Sequence, residues 1–163
     1  MATDIRSPET FSEALKTHDF SIFLCGSIEM GKAEDWQQKF TDAMEEHDKT
    51  VLLNPRRAKG EWDSSWVQSI DNPQFREQVE WELEGLEDVD LIICFLQPET
   101  QSPISLLELG FYAAKNPKKI VVCCPEGFWR KGNVDIVCNR YGIDQVDDLE
   151  GLIAYAKNRM EAE

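Results

Sequence analysis

Apolar runs alternate along this chain with segments whose apolar residues recur at helical spacing. The runs predict strands at residues 20–25, 50–53, 90–96, 119–124 and 144–146. The intervening patterns predict helices at residues 8–17, 33–47, 73–87, 104–115, 133–141 and 148–160. Alternating βα units of this size predict a parallel sheet with helices on both faces, a flavodoxin-like or Rossmann-like α/β fold. We expect a single domain spanning residues 1–163, and the long connection at residues 56–72 is a candidate functional loop.

Charge and composition narrow the class of protein. With 31 acidic and 17 basic residues the net charge is −14, which argues against nucleic-acid polymers and anionic membranes as partners. The chain shows neither a membrane-length apolar run nor a signal-peptide pattern, and its five cysteines form no CxxC pair. We therefore expect a cytoplasmic protein with reduced, buried cysteines. Because His18 and His47 stand alone, we expect no metal site and no cofactor.

Glu108 is the strongest candidate for chemistry. It lies among Leu106, Leu107 and Leu109, just after the predicted strand at residues 90–96, at the edge of a parallel sheet where ligands bind. A carboxylate is costly to bury without a partner or a task. The alternative is a capping box, with Ser105 as N-cap and Glu108 three residues later.

Glu82 is a second candidate carboxylate. Phe75, Val79 and Leu86 mark an apolar stripe on the helix predicted at residues 73–87, and the same register includes Glu82 and Leu83. An inward carboxylate suggests that the stripe borders a polar cleft. The alternative is that Glu82 reaches water at the margin of the stripe, or pairs with Arg76 or Gln78.

Two further segments supply candidate binding residues. After the first central strand, Gly26 lets the backbone approach a ligand, and Ser27 and Lys32 supply donors near a helix start, although a plain tight turn explains the same residues. In the long loop, Trp62 and Trp66 offer faces for a flat heterocycle beside Asp63, and Arg56 could hold a phosphate or carboxylate. The alternative roles for the two tryptophans are a hydrophobic plug over the core or a contact with a partner. The alternative for Arg56 is a surface ion pair.

Together these motifs resemble the nucleoside 2-deoxyribosyltransferases, most closely a divergent "deoxyribosyltransferase-like" branch, and are similar to the related deoxynucleoside-monophosphate N-glycosidases. The resemblance covers residues 20–143. It rests on the Gly26-Ser27 turn, on Glu82 in a helix that leads to Asp90-Leu91-Ile92, and on the run Leu107-Glu108-Leu109-Gly110.

The resemblance implies a covalent glycosyl-enzyme with Glu108 as nucleophile. Glu82 falls where the family usually has an aspartate that assists the leaving base. The family's second aspartate, six residues before the nucleophile, is Ser102 in this chain, so base protonation is expected from Asp63 or Glu82. Asn133 resembles an asparagine that reaches into a neighbouring subunit's site, which implies a homodimer or larger assembly.

The expected function is therefore cleavage of the N-glycosidic bond of a nucleoside or nucleotide, with transfer of the deoxyribosyl group to a free nucleobase. The alternatives are an N-glycoside hydrolase of nucleoside 5′-monophosphates and a non-catalytic nucleotide-binding sensor. Release of free base from the substrate would distinguish both enzymes from the sensor.

Overall fold

A computed structural model describes residues 1–28, 34–58 and 60–163 of the chain. The strands are β1 (Thr3–Arg6), β2 (Phe20–Gly26), β3 (Thr50–Asn54), β4 (Leu91–Phe95), β5 (Ile120–Cys123) and β6 (Asp144–Val146). The α-helices are α1 (Ser12–Thr17), α2 (Trp36–Ala43), α3 (Pro73–Asp88), α4 (Pro103–Lys115), α5 (Lys131–Tyr141) and α6 (Leu149–Glu161), with a 3₁₀ helix at Pro117–Lys119.

The six strands form one parallel sheet in the order β1-β3-β2-β4-β5-β6. From β2 onward this is the flavodoxin-like arrangement, and β1 adds an extra strand at one edge. The chain passes from β2 to β3 on one side and then returns to place β4 on the other side of β2. Such a reversal opens a ligand crevice at the carboxyl ends of the two diverging strands, here β2 and β4.

The sheet is covered on both faces, as the sequence predicts. One face packs against α1, α3, α4 and α5, with Phe11, Trp81, Leu109 and Cys138 among its buried residues. The other packs against α2 and α6 through residues that include Trp36, Phe40, Leu152 and Ala156. Because both faces are covered, β2, β3 and β5 are buried throughout, which explains their continuous apolar runs.

The amino-terminal segment differs from the sequence prediction. In the sequence, Ser7 and Pro8 form a typical N-cap and N1 pair, which is the start signal for the helix predicted at residues 8–17. The observed α1 begins at Ser12 and is preceded by β1, which the sequence does not predict. β1 is a short edge strand with one fully buried residue, so its apolar pattern is too weak to detect. Ser7, expected as an N-cap, instead turns its hydroxyl toward α3, where it donates to Gln78.

Other sequence predictions hold. The described residues between Asn54 and Pro73 form neither helix nor strand, so the long loop is confirmed. All five cysteines are free and buried. The helix predicted at residues 33–47 is shorter, at Trp36–Ala43, and Ala33 lies outside the described residues. In the part of the chain that the structure describes, every helix is too short or too polar to cross a membrane.

Candidate active site

Gly26 brings the ends of β2 and β4 together at the crevice. Its φ is +143°, and a Cβ atom at this position would lie 2.3 Å from the carbonyl oxygen of Phe95. Any other residue would therefore push the two strands apart. The backbone N–H of Ser27 donates to the same carbonyl at 3.0 Å. Next, Trp36 anchors α2 by donating from Nε1 to the carbonyl oxygen of Ser27 at 3.0 Å.

Three buried hydroxyl groups hold the loop between β4 and α4. The Ser27 hydroxyl is hydrogen-bonded to Thr100 at 2.9 Å and to Ser102 at 2.7 Å, and it accepts the backbone N–H of Gln97 at 2.9 Å. The loop includes two residues in the left-handed region, Glu99 at φ +66° and Ser102 at φ +46°. These bonds give Ser27 and Ser102 an evident role in shaping the loop, while their predicted contacts with substrate stay a prediction.

Helix α4 points Glu108 at the sheet. The helix begins at Pro103, so Glu108 lies in its second turn and is only 7% exposed. The capping-box alternative is wrong, because Ser105 lies inside the helix and the Glu108 side chain reaches β2 instead. There the Cys25 thiol donates to Glu108 Oε2 at 3.1 Å. Burial, reinforced by the charge of Glu82, raises the pKa of Glu108 to about 8 against the weaker opposing effect of that thiol.

Glu82 faces the same region from α3. Gln78, one turn earlier, donates from Nε2 to Glu82 Oε1 at 2.6 Å, which confirms Gln78 as its partner, whereas Arg76 pairs with Glu80. Burial raises the pKa of Glu82 to about 7, although the Gln78 hydrogen bond and the charge of Arg57 oppose the rise.

The inward face of α3 is not the stripe expected from the sequence. Val79 and Leu83 are 37% and 42% exposed, so placing them on the buried side is wrong. Steps of three and four residues instead align the buried positions of this helix, which are Gln78, Trp81, Gly85 and Leu86. Glu82 lies between Gln78 and Leu86 on that face, so its inward placement holds although the register differs.

The two carboxyl groups form an electrostatic pair. The charge of Glu82 raises the pKa of Glu108, so each ionisation disfavours the other. With pKa values of about 7 and about 8, the pair carries about one proton between these pH values. A proton retained at neutral pH by two interacting carboxyl groups suits acid–base and nucleophilic chemistry.

The aromatic loop lies beside this carboxyl pair, and its side chains contact other residues of the same loop. The rings of Trp62 and Trp66 are packed edge to face with their centres 5.0 Å apart, and the Arg57 guanidinium lies 5.3 Å from the centre of the Trp66 ring. Asp63 Oδ1 accepts the backbone N–H of Ser65 at 2.8 Å and its hydroxyl at 2.6 Å. These bonds lower the pKa of Asp63, so this carboxylate is a poorer proton donor than Glu82.

Arg56 lies at the carboxyl end of β3. Its Nη1 pairs with Asp35 at 3.4 Å, so the surface ion pair that the sequence allows is present. Its Nε and Nη2 are buried and have no hydrogen-bond partner among the described residues. Lys32, predicted to bind substrate with Ser27, lies outside the described residues.

Asn133 is exposed near the start of α5. Two large aromatic residues, Phe128 and Trp129, lie shortly before Asn133 in the sequence and predict an interface there. Phe128 is instead buried in the core at 4% exposure, so that prediction is wrong for Phe128. Trp129 is 51% exposed; its Nε1 donates to the carbonyl oxygen of Gln101 at 2.9 Å, and the Arg130 guanidinium lies 4.5 Å from its ring centre.

Sequence analysis did not identify Cys25 or Arg57 as partners of the carboxyl pair. A cysteine within an apolar strand indicates packing, and only the approach of α4 shows that Cys25 meets Glu108. Arg57 was visible only as the neighbour of Arg56. Among the described residues, no group of three or more histidine, cysteine or acidic side chains is arranged to hold a metal ion.

The fold and the site define a flavodoxin-like α/β protein with two interacting carboxyl groups, one buried and one half-buried, at the topological switch point of its sheet. The family model "Nucleoside 2-deoxyribosyltransferase like" matches residues 19–128, which is more than half of the chain. The chain therefore belongs to the nucleoside 2-deoxyribosyltransferase-like family. No curated protein matches it.

Proposed function

We propose that this protein cleaves the N-glycosidic bond of a deoxynucleoside through a glycosyl-enzyme on Glu108 and transfers the sugar to another base. The observation that carries the proposal is the pair of interacting carboxyl groups, buried Glu108 and half-buried Glu82, at the carboxyl ends of β2 and β4. Membership of the family supports the same substrate class, nucleosides and nucleobases.

The first step uses both carboxyl groups in different protonation states. Ionised Glu108 attacks C1′ of the sugar as the C1′–N bond breaks, and the bonding electron pair leaves with the base nitrogen. Protonated Glu82 gives its proton to the departing base. An anionic nucleophile and a neutral acid together need one proton, which is the number that this pair carries between pH values of about 7 and 8.

The second step reverses the roles. An acceptor base attacks C1′, the bond from C1′ to the Glu108 oxygen breaks, and the released proton returns to Glu82. The two inversions give net retention at C1′. We place the base against Trp62, because Trp66 already lies between Trp62 and Arg57.

A second candidate is hydrolysis of nucleoside 5′-monophosphates, with water in place of the acceptor base. Arg56 favours it, because two of its guanidinium nitrogens are buried without a hydrogen-bond partner in the described part of the chain. Guanidinium groups bind phosphate through paired hydrogen bonds. On this alternative, Arg56→Gln should weaken use of monophosphates and leave use of nucleosides unchanged.

We further propose that the active unit is a homodimer in which Asn133 completes the neighbour's site. The exposed position of Asn133 supports this, as do large exposed apolar residues on the helices that carry the two carboxyl groups, namely Val79, Leu83, Ile104, Leu107 and Phe111. Mixing inactive Glu108→Gln with inactive Asn133→Ala should restore some activity, because some mixed sites contain both native residues. A fully active monomer in light scattering would contradict the shared site.

The experiment that tests the function is a chromatographic screen of nucleosides and their 5′-monophosphates, with and without an acceptor base. Transfer predicts a new nucleoside only when the acceptor is present, whereas hydrolysis predicts free base and sugar without it. The control is Glu84→Gln, an exposed change on α3. Binding without any release of base would support the sensor and contradict both enzymes.

A further inference from the structure

Gln78 occupies an unusual position for an amide side chain. It lies on the inward face of α3, one turn before Glu82, and is only 6% exposed. A buried amide needs partners for two donors and two acceptor sites. In this structure all four are satisfied, by Ser7 just after β1, by residues of the long loop and by α3 itself.

The four bonds fix the orientation of the amide. Its Oε1 accepts the Ser7 hydroxyl at 2.5 Å and Arg57 Nε at 2.7 Å. Its Nε2 donates to the carbonyl oxygen of Pro55 at 3.1 Å and to Glu82 Oε1 at 2.6 Å. Reversing the amide would set an N–H group against Arg57 Nε, which can only donate, and the amide oxygen against the Pro55 carbonyl, which can only accept. The donor side therefore faces Glu82.

The orientation determines where a proton can reside on Glu82. Because Oε1 accepts a hydrogen bond from the amide N–H, protonation is favoured on Oε2. The amide therefore influences where the Glu82 carboxyl group lies and which of its two oxygens carries the proton. A donor on a carboxylate also stabilises the ionised form, which offsets part of the effect of burial.

Arg57 ties the other side of the amide to the aromatic loop. Its side chain is 8% exposed, its Nη2 pairs with Glu77 at 3.2 Å, and its guanidinium lies 5.3 Å from the centre of the Trp66 ring. The same guanidinium donates to Gln78. A continuous chain of contacts thus runs from Trp66 through Arg57 and Gln78 to Glu82.

We propose that Gln78 is a positioning residue, which orients the acid Glu82 and, through Arg57, couples it to the loop that carries Trp66. The inference rests on the proposed function for its catalytic consequence, but the link between Gln78 and Glu82 can be measured without turnover. The charged groups that act on Glu82 are Arg57 from the long loop and Glu108 from α4. Glu77, on α3 itself, pairs with Arg57, and the Cys25 thiol of β2 donates to Glu108.

The expected effects have a definite sign. Gln78→Met keeps the volume of the side chain but removes the donor, and Arg57→Gln removes the positive charge. Each change leaves ionised Glu82 less stabilised, so the titration of Glu82 should move upward by about one pH unit, the size expected for a hydrogen bond to a charged group. The matched controls are Gln74→Met, one turn earlier on the exposed side of α3, and Arg76→Gln, an exposed cation on the same helix.

The test is ¹³C NMR of protein labelled at the glutamate carboxyl carbon, with Glu82 assigned by the spectrum of Glu82→Gln. Upward movement of the Glu82 midpoint in Gln78→Met and Arg57→Gln, but in neither control, supports the proposal. Unchanged midpoints in both variants would overturn it, and if Gln78→Met fails to fold, Arg57→Gln decides.

Kinetics then separate this inference from the proposed function. If nucleosides are turned over, Gln78→Met should lower kcat about tenfold, change KM little and shift the pH window of activity upward. Shifted midpoints without turnover of any nucleoside would retain the link and reject the function. Turnover of a nucleoside with unshifted midpoints would support the proposed function and reject the link between Gln78 and Glu82.

Discussion

The two carboxyl groups of the site occupy contrasting surroundings. Glu108 projects from α4 toward β2, where its donor among the described residues is the Cys25 thiol, a weak one, at 3.1 Å. Glu82 projects from α3 into a polar network, where the amide of Gln78 and the charge of Arg57 favour its ionised form. Burial raises the pKa of both groups, so the difference between their two pKa values comes from their neighbours.

This contrast has a lesson for assigning roles. The neighbours lower the pKa of Glu82 relative to that of Glu108, yet the proposed chemistry needs an ionised Glu108 and a protonated Glu82. A developing positive charge at C1′ would favour ionised Glu108, and a base nitrogen accepting a proton would favour the acidic form of Glu82. Substrate binding is therefore expected to redistribute the proton within the pair.

The largest expected effect comes from the nucleophile. Glu108→Gln should lower kcat by at least about 10³-fold, because an amide cannot form the glycosyl-enzyme. The measurement is release of free base, with circular dichroism to verify the fold. Near-normal rates in this variant would exclude a covalent role for Glu108.

A smaller loss is expected for the acid. Glu82→Gln should lower kcat by about 10²- to 10³-fold for an ordinary base, because proton donation is lost while the nucleophile remains. With a base that leaves without protonation the loss should nearly disappear. Equal losses with both kinds of leaving group would contradict the separate roles of the two carboxyl groups.

Removing the thiol should have a modest effect. Cys25→Ala deletes the donor that lowers the pKa of Glu108, so activity at neutral pH should fall about fivefold and the acid limb of the pH profile should move upward. Cys25→Ser should retain most of the activity. The control is Cys138→Ala, another buried cysteine in the same core cluster; an equal effect there would indicate packing alone.

The smallest predicted effect concerns stability. The pKa of Glu108 rises from about 4.5 to about 8 on folding, so the stability associated with its protonated form is complete below the lower value and is lost as pH rises to the higher one. Glu108→Gln should therefore melt about 10 °C above wild type near pH 9, and at nearly the same temperature as wild type near pH 4, below both pKa values. A variant that is less stable at both pH values would show that Glu108 has a structural role.

Much of the fold could be predicted because buried parallel strands leave continuous apolar runs. Residues such as Ile92 and Ile93 are fully buried, and their strand is evident from the sequence. Glu108 could be singled out for the same reason, since a carboxylate between leucines is conspicuous. β1 could not, because an edge strand with one buried residue has no distinctive pattern.

Most of the residues that hold the two carboxyl groups in place could not be identified from the sequence. Gln78 and Ser7 are 71 residues apart, and their contact depends on how β1 and α3 meet. Val79 and Leu83 misled the choice of helix face because apolar residues also occur on exposed surfaces. The aromatic Phe128 likewise proved to be a core residue. Side-chain partners of this kind follow from tertiary packing, which local periodicity does not encode.

The covalent role of Glu108 is tested most directly by mass spectrometry of protein incubated with a 2′-fluoro nucleoside. The electron-withdrawing fluorine slows the breakdown of a glycosyl-enzyme, so the intermediate should accumulate. The account predicts one added fluorosugar, located on the peptide that contains Glu108 and absent from Glu108→Gln. An adduct on another residue, or steady release of base with no adduct at any time, would contradict it.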